Sequence, residues 1–327
     1  MNTTACVISA GGKLVKRMET ESNANGLVAV CDFMKNDAYC VMMESSTYAY
    51  QVYRFFDDKG IEAHVVHAKG LKMITDTDKK TDKKDAETIG KILRLWKKKE
   101  IDLSMSYIPS RDECELKDIC RYREEITVKI GDESRRIHSH MDRNLQFLPE
   151  GVSNIETKKS RAYIRATWPN DITLLKRLAM YEGLLTERTD VAKNIGSRMK
   201  DDENVRLLAE IPGIGKQTAV QIMSMIIDIR RFPDPEKLCA YFGLVPRVRD
   251  SGGKEHHGKM TKNGDKMMRM IMERVTLSHM RSCDSSITAY FNRKRGEMGQ
   301  KKALITASRK MLTVIHAVLT SKKRFAA

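Results

Sequence analysis

The chain has 327 residues, of which 41% are hydrophobic and 31% charged, and its formal net charge is +16. This length supports about two domains with buried cores, and the composition excludes collagen-like, mucin-like and low-complexity disordered proteins. We find no apolar run near the ~18 residues that a membrane helix needs, and the first residues lack the apolar core of a signal peptide. We therefore expect a cytoplasmic protein that does not bind membranes.

The first hundred residues alternate short strand-like runs with helical ones. The strand-like runs lie at 5–8, 13–16, 39–43 and 63–66, and helical spacing lies at 48–58 and 85–96. The first two runs flank Gly11-Gly12 as the strands of a β-hairpin would. This order predicts a mixed α/β domain over 1–108 with some parallel strands.

After Pro109, apolar residues recur at steps near seven and four on a highly charged background, as in a long two-faced helix. They are Ile119, Ile126, Ile130, Ile137, Met141 and Phe147 or Leu148. A break follows around 149–151, and a second helical stretch covers about 171–199. The segment 109–200 therefore predicts a helical hairpin or an intermolecular coiled coil, with a bundle packed on the chain's own domains as the alternative.

Residues 201–327 are expected to be compact and mostly helical, and positive charge is concentrated near their end. Residues 251–327 contain 17 of the 59 Lys and Arg residues but only five of the 43 Asp and Glu residues. Such a cluster gains free energy on a polyanion by releasing condensed counterions, and nucleic acid is the commonest such partner. A solvated, solubilising surface is the alternative.

The clearest local motif runs from Leu208 to Ile222. Its pattern is typical of a helix-hairpin-helix, in which Gly213 and Gly215 let backbone amides approach a phosphate at a helix N-terminus. Lys216 adds a positive charge at that point. The motif predicts nonspecific binding to the DNA backbone, and a tight turn without a ligand is the alternative.

A second signal is a set of acids. Glu44 closes a predicted strand, and Asp82 and Asp85 lie three residues apart at the start of a predicted helix, so they share a face. Oxygen ligands of this kind suit Mg²⁺, which can clamp a phosphodiester. Spacing alone favours the alternative, in which the aspartates cap the helix and interact with its dipole.

A third signal is Ser251, which is followed by Gly252-Gly253 in a predicted loop. Arg247, Arg249 and Lys254 surround it, and we expect these cations to contact a phosphate. An exposed hydroxyl there could attack phosphorus and form a covalent phosphoserine link, which divides strand exchange into two transesterifications. A polar turn is the alternative.

Together these motifs resemble the DEDD insertion-sequence transposases of the IS110 group. This family acts as RNA-guided serine recombinases and is related to the pilin-gene invertases. The resembling segments are, in order, 43–48, 80–86, 211–215, 231–232, 243–246, 251–252 and 261–264. The resemblance implies a RuvC-like (RNase H-like) α/β domain at 1–108, a helical coiled-coil linker at 109–200, and a mostly helical transposase domain at 201–327.

The resemblance also implies the site. Glu44, Asp82 and Asp85 match three of the family's four Mg²⁺-coordinating acids, and Ser251 matches the nucleophile. The implied partners are DNA, a guide RNA from the element, and further copies of the chain. The implied homo-oligomer is a dimer or tetramer that places the acids of one protomer near the serine of another.

The sequence departs from the family pattern at its first acid. In the family this acid lies on the opening strand in a Gly-Ile-Asp context, which here would precede Met1. We therefore expect the first domain to be incomplete as written and to bind metal poorly. Two other hypotheses stay open: a catalytically impaired nucleic-acid-binding remnant, and a hydrolytic junction nuclease that uses the acids alone.

Overall fold

The computed structural model describes residues 2–34, 39–67, 71, 82–152, 154–251, 254–260 and 264–326, with the backbone alone for 82–83, 246–251 and 254–260. The chain divides into two compact units, Met1–Ser110 and Arg111–Ala327. The described residues are mostly helical, with few strands. Each unit has a core of its own, so the two are described separately.

In the described part of unit 1, four strands form two separate two-stranded sheets. The strands are β1 (Asn2–Ile8), β2 (Leu14–Glu21), β3 (Val41–Glu44) and β4 (Ala63–Val66). The predicted hairpin of β1 and β2 is confirmed, with Val7 opposite Lys16 in an antiparallel pair. The predicted parallel pairing is also confirmed, because β3 and β4 run in the same direction with Glu44 opposite Val66.

Helices pack on both sheets of unit 1. Those in its described residues are α1 (Ala24–Phe33), α2 (Ala49–Asp57) and α3 (Asp82–Lys97). The sequence patterns predicted α2 and α3 but missed α1, which packs on β2. The Asn23 side chain caps α1 by accepting a hydrogen bond from the Gly26 N–H at 2.9 Å. An Asn before a short apolar run is the signal that could have identified this helix.

Helix α3 packs against both sheets. Its Gly90 lies on β1, where a Cβ would come within 2.6 Å of the Ile8 side chain. On the other sheet, Ile92 is buried with Met42 and Val66 in a small apolar core. A residue without a side chain is therefore needed at position 90 for the helix to approach β1.

Unit 2 contains nine helices and one β-hairpin among its described residues. The helices are α4 (Arg111–Arg143), α5 (Lys158–Thr167), α6 (Ile172–Arg198), α7 (Glu203–Ala209), α8 (Lys216–Ile226), α9 (Pro235–Tyr241), α10 (Lys266–Ser282), α11 (Ser286–Met298) and α12 (Gln300–Ser321). A short 3₁₀ helix (Ile229–Arg231) separates α8 from α9. One continuous core joins α4 and α6 to the helices after residue 200.

The two long helices α4 and α6 pack along each other, and both contact α8. Ile126, Ile130 and Ile137 of α4 are buried at the predicted spacing. Helix α10 is tied to α4 by an ion pair in which Arg274 contacts both carboxylate oxygens of Glu124 at 2.8 and 2.9 Å. The segment predicted as a linker therefore shares a core, and an ion pair with a buried carboxylate, with the helices after it.

The predicted apolar stripe of the first long helix extended to Phe147 or Leu148, but α4 ends at Arg143, before both residues. The Asn144 side chain donates to the carbonyl of His140 at 2.8 Å, and Leu145 adopts a left-handed conformation with φ of 53°. Phe147 is 61% exposed. The prediction for the last turn was wrong because a left-handed residue ends a helix whatever the apolar spacing beyond it.

A β-hairpin replaces the loop that the sequence analysis expected around Ser251. β5 (Pro246–Ser251) and β6 (Lys254–Met260) are antiparallel, and Ser251 is opposite Lys254. The expectation of a loop was wrong because two short runs around a Gly-Gly pair also fit a hairpin. We refer to residues 246–260 as the serine arm.

Helix α12 corrects the expectation that no segment is apolar enough to span a membrane. It is the one helix among the described residues whose length and hydropathy would suffice. Its apolar face packs against α7, α9, α10 and α11 in the core, with Met311, Leu312 and Ile315 fully buried. The core position of this helix accounts for its apolar composition.

Candidate nucleic-acid interface and catalytic residues

The predicted glycine turn joins two short helices, α7 and α8, of unit 2. Gly215 precedes α8 as its cap residue and has no side chain to bond the first N–H groups of that helix. Gly215 and Lys216 are both exposed. Because unpaired N–H groups and the helix dipole attract anions, this helix end can accept a phosphate, with Lys216 beside it.

The turn is held from behind by His279, a buried residue of α10 that the sequence analysis missed. Gly213 has φ of +91°, and a Cβ there would come within 2.5 Å of the His279 backbone nitrogen. The imidazole Nδ1 lies 2.7 Å from the Pro212 carbonyl oxygen. Since a carbonyl can only accept, Nδ1 carries the proton. The glycine turn is therefore fixed on α10.

The second nitrogen of the same imidazole reaches the start of α11. Nε2 lies 2.7 Å from the Ser285 hydroxyl, which donates to it. The Ser285 oxygen in turn accepts from the backbone N–H groups of Ile287 and Thr288 at 3.2 and 3.4 Å, and so caps α11. His279 thus joins the turn before α8 to the first turn of α11.

Helices α11 and α12 carry the densest positive charge of unit 2. Residues 286–324 contain ten Lys and Arg residues and a single acid, Glu297, which pairs with Lys294 at 2.6 Å. Four exposed cations lie near the junction of the two helices: Arg293 and Arg295 at the end of α11, and Lys301 and Lys302 at the start of α12. The Tyr290 ring is flanked by Arg293 and Lys310, at 5.3 and 5.0 Å from its centroid. We call residues 290–310 the basic helical surface.

The predicted nucleophile lies at the end of β5, next to the tip of the serine arm. Ser251 is opposite Lys254, and Arg249 is opposite His256. Because cross-strand partners share a face and alternate residues return to it, these four positions lie on one face of the arm. Arg247 precedes them on β5, where the register shifts between Pro246 and Val248. Motif residues 252–253 and 261–263 lie outside the described residues.

The predicted acids lie in unit 1. Glu44 is the last residue of β3, and α3 begins at Asp82 and carries Asp85 in its first turn. Motif residues 80 and 81 lie outside the described part of the chain. Among the described side chains, no three His, Cys, Asp or Glu residues are close enough to hold a metal ion, and the Asp82 side chain is outside that set.

The direction of α3 can be read from its contacts with β4. Lys97 pairs with Glu62 at 2.5 Å just before the strand, the Trp96 ring lies 4.7 Å from that of His64, and Ile92 packs on Val66. Hydrogen bonds from Lys97 and His64 hold the pKa of the Glu62 carboxyl below its ordinary value. Helix α3 therefore runs antiparallel to β4 and, because the pair is parallel, to β3.

This direction places the start of α3 at the same end of unit 1 as Glu44. From Ile92 back to Asp85 the helix covers about 10 Å, while β3 continues about 7 Å from Met42 to Glu44. Both paths lead away from the Lys97 end of the helix. Two of the three predicted acids are thus brought toward one end of the fold.

Family comparisons cover most of both units. Residues 1–145 match a model of DEDD transposases of the IS110 type, described as "Transposase", and residues 205–292 match the "Transposase IS116/IS110/IS902 family". The first match contains the three acids, and the second contains the glycine turn and the serine arm. The chain belongs to the IS110-type insertion-sequence transposases. Membership of this family implies an enzyme that cuts and rejoins DNA.

Individual relatives agree with the two family matches. This transposase is 23% identical over 301 residues to the transposase for insertion sequence element IS1111A of Coxiella burnetii, covering 88% of this chain and 79% of that protein. It is 23% identical over 281 residues to the transposase for insertion sequence element IS1328 of Yersinia enterocolitica, covering 84% and 79%. It is also 33% identical over 123 residues to the pilin gene-inverting protein of Moraxella lacunata, covering 36% and 38%.

Proposed function

We propose that this transposase cuts and rejoins DNA by serine transesterification, with Ser251 as the nucleophile. The observation that carries the proposal is the position of Ser251 at the end of β5, on the same face of the arm as Arg249 and Lys254. The Ser251 hydroxyl loses its proton and forms a bond to phosphorus, while the bond from phosphorus to a deoxyribose oxygen breaks and that oxygen leaves as a hydroxyl. The hydroxyl of a second DNA strand then attacks the same phosphorus, and the bond from phosphorus to the serine oxygen breaks. The serine is released with its proton restored.

Cations near the nucleophile favour this chemistry. Arg249 and Lys254, with Arg247 on the same strand, are proposed to hold the phosphate whose negative charge increases during attack. Asp250 and Glu255 are opposite one another, between the pair of Arg249 with His256 and the pair of Ser251 with Lys254. The acids of the arm therefore occupy the other face, away from the proposed phosphate.

Glu44, Asp82 and Asp85 are proposed to hold Mg²⁺. Carboxylate oxygens are the ligands that this ion prefers, and the antiparallel course of α3 brings Asp85 toward the Glu44 end of β3. When bound, Mg²⁺ supplies stabilisation of the charge on phosphate oxygens. The antiparallel hairpin, the parallel pair and the helix packed on both support a RuvC-like interpretation of unit 1.

The glycine turn and the basic helical surface are proposed to bind nucleic acid. Gly213, Gly215 and Lys216 form a helix-hairpin-helix contact with the DNA backbone, supported by the exposed N-terminus of α8. The cations of α11 and α12 extend the positive potential. We propose DNA as the substrate, an element-encoded guide RNA as a second nucleic-acid partner, and a homo-oligomer, dimer or tetramer, acting in the cytoplasm.

Trapping of the covalent intermediate tests the nucleophile. Purified protein is incubated with labelled element-end DNA and Mg²⁺, then boiled in detergent and separated by electrophoresis. We expect a protein–DNA adduct that is lost in Ser251→Ala and kept in Ser278→Ala, an exposed serine of α10. An adduct that persists in Ser251→Ala contradicts the assignment of this serine.

The same gel separates the other hypotheses. Cleaved DNA without attached protein, unaffected by Ser251→Ala, identifies a hydrolytic nuclease that uses the acids alone. Uncleaved DNA on the gel, together with DNA binding measured separately by fluorescence anisotropy, identifies a nucleic-acid-binding remnant. RNA extracted from the purified protein, and sedimentation of the complex with and without ribonuclease, test the guide RNA and the oligomeric state.

A further inference from the structure

The two ends of the serine arm lie side by side. The chain enters the arm after α9 through Gly243, which has φ of +68°, and the Leu244 N–H donates to the Cys239 carbonyl at 2.9 Å. This is the hydrogen bond of a Schellman motif, which fixes the direction in which the chain leaves a helix. The chain returns through Gly264, which has φ of +88° and lies so close to Tyr241 that a Cβ would overlap the Tyr241 carbonyl oxygen.

Arg269 of α10 joins these two ends. Its Nη1 donates to the carbonyl of Phe242 at 3.2 Å, on the entering side, and to the carbonyl of Gly264 at 3.2 Å, on the returning side. A cation near the start of a helix interacts unfavourably with the helix dipole. Charge-assisted hydrogen bonds to two carbonyls compensate for that interaction, so the position of Arg269 is explained by the arm and not by the helix.

The returning end is also fixed to α4. Asp265 caps α10 by accepting a hydrogen bond from the Met267 N–H at 2.8 Å, and it forms an ion pair with Arg121 at 2.5 Å. Burial acts to raise the pKa of the Asp265 carboxyl, but hydrogen bonding and charge from Arg121 hold it below its ordinary value. Asp265 therefore anchors the residue that follows Gly264 to the large core of unit 2.

We infer that Arg269 is a positioning residue for the nucleophile, acting through the root of the serine arm. This inference rests on the proposed role of Ser251. From Pro246 to Ser251 the strand extends about 17 Å, so a tilt of about 5° at the root moves the tip by about 1.5 Å. A misplacement of about 1 Å can lower a rate by about 100-fold. A short two-stranded ribbon has little stability of its own, so its direction depends on the root.

The same helix also fixes the turn proposed to bind DNA. His279 lies ten residues after Arg269, which is about 15 Å along α10. Arg269 contacts the root of the arm, and His279 contacts the glycine turn. Helix α10 therefore sets the separation between the proposed phosphate-binding turn and the root of the arm that carries Ser251.

The test compares Arg269→Gln with Arg281→Gln, a matched change at an exposed arginine of the same helix. The rate of covalent adduct formation, the DNA dissociation constant and the melting temperature are measured for each. Hydrogen exchange is followed in peptides covering 239–245 and 264–268. We expect Arg269→Gln to lower the adduct rate by about 10- to 100-fold and to speed exchange at the root, with DNA affinity within about twofold of the parent protein. Arg281→Gln should match the parent in every measurement.

Arg269→Lys keeps the charge without the planar fork and should recover part of the adduct rate. If Arg269→Gln lowers the melting temperature strongly, the adduct rate and hydrogen exchange of Arg269→Lys, measured at a temperature at which every variant is folded, decide the question. Unchanged adduct rate and unchanged exchange in the Arg269 variants overturn the inference. If the parent protein forms no adduct, the proposed chemistry fails, while exchange at the root still decides whether Arg269 holds the arm.

Discussion

The His279 imidazole lies 2.7 Å from the Ser285 hydroxyl and is fully buried, so one side chain connects the glycine turn, α10 and α11. His279→Ala removes both hydrogen bonds and leaves the Pro212 carbonyl unpaired. We expect it to lower the free energy of unfolding by about 2–4 kcal/mol and to weaken DNA binding through the displaced turn. Urea denaturation with His138→Ala, a partly buried histidine of α4, as the control checks this prediction.

The two glycines of the turn should respond differently to alanine. Gly213→Ala places a Cβ against the His279 backbone at a positive φ, so it should destabilise the fold by more than about 1 kcal/mol. Gly215 has φ of −78°, and a Cβ there meets nothing within 4 Å. Gly215→Ala should therefore leave thermal stability unchanged while lowering DNA affinity, as measured by fluorescence anisotropy. Unchanged affinity would argue against phosphate approach at this residue.

The basic helical surface should contribute to the salt dependence of DNA binding. Each phosphate contact contributes about 0.9 to the slope of log K against log salt concentration for duplex DNA. Changing Lys301 and Lys302 together to Gln should therefore reduce the slope by up to about 1.8, without a change in melting temperature. Lys158→Gln, at an exposed lysine of α5, is the control. If the lysine variant, the control and the parent protein show the same salt dependence of DNA binding, the basic helical surface does not contact DNA.

The pair formed by Glu124 and Arg274 should be costly to break but replaceable. Glu124 is 4% exposed whereas the Arg274 side chain is about half exposed, so Arg274→Met leaves a buried carboxylate without its ion-pair partner and should lower stability by about 1–3 kcal/mol. The double variant Glu124→Leu with Arg274→Met should recover most of that loss, because it replaces the buried carboxylate with an apolar side chain. Guanidinium denaturation of the two single variants and the double variant gives the coupling energy.

Asp265 should make the stability of the fold depend on pH in the acidic range. Its pKa in the folded protein is below the ordinary value of about 3.9, so the deprotonated form stabilises the fold above that pH. This contribution decreases as the pH falls below about 4 and is lost below the folded pKa. Asp265→Asn should therefore be less stable than the parent at pH 7, with a difference in stability that narrows as the pH falls below about 4. A difference in melting temperature that is constant with pH would contradict this role.

Much of the secondary structure could be predicted because it depends on local patterns. Apolar spacing predicted the burial of Ile126, Ile130 and Ile137 on one side of α4. The Gly11-Gly12 pair between two short runs predicted β1 and β2. The end of α4 could not be predicted in this way, because it depends on the left-handed backbone conformation of Leu145. The spacing of apolar residues carries no information about that conformation.

The sequence by itself determined the chemistry that this chain offers: a glycine turn beside Lys216, acids at Glu44, Asp82 and Asp85, and a serine among cations. Residue type and order are enough for that, because hydroxyls, carboxylates and flexible glycines carry their chemistry wherever they lie. Only the tertiary structure decided that His279 holds the turn and that Arg269 joins the ends of the serine arm. The contacts of His279 with Pro212 and of Arg269 with Phe242 link residues 67 and 27 positions apart, and hydrogen bonds between distant residues follow from packing that no local pattern encodes.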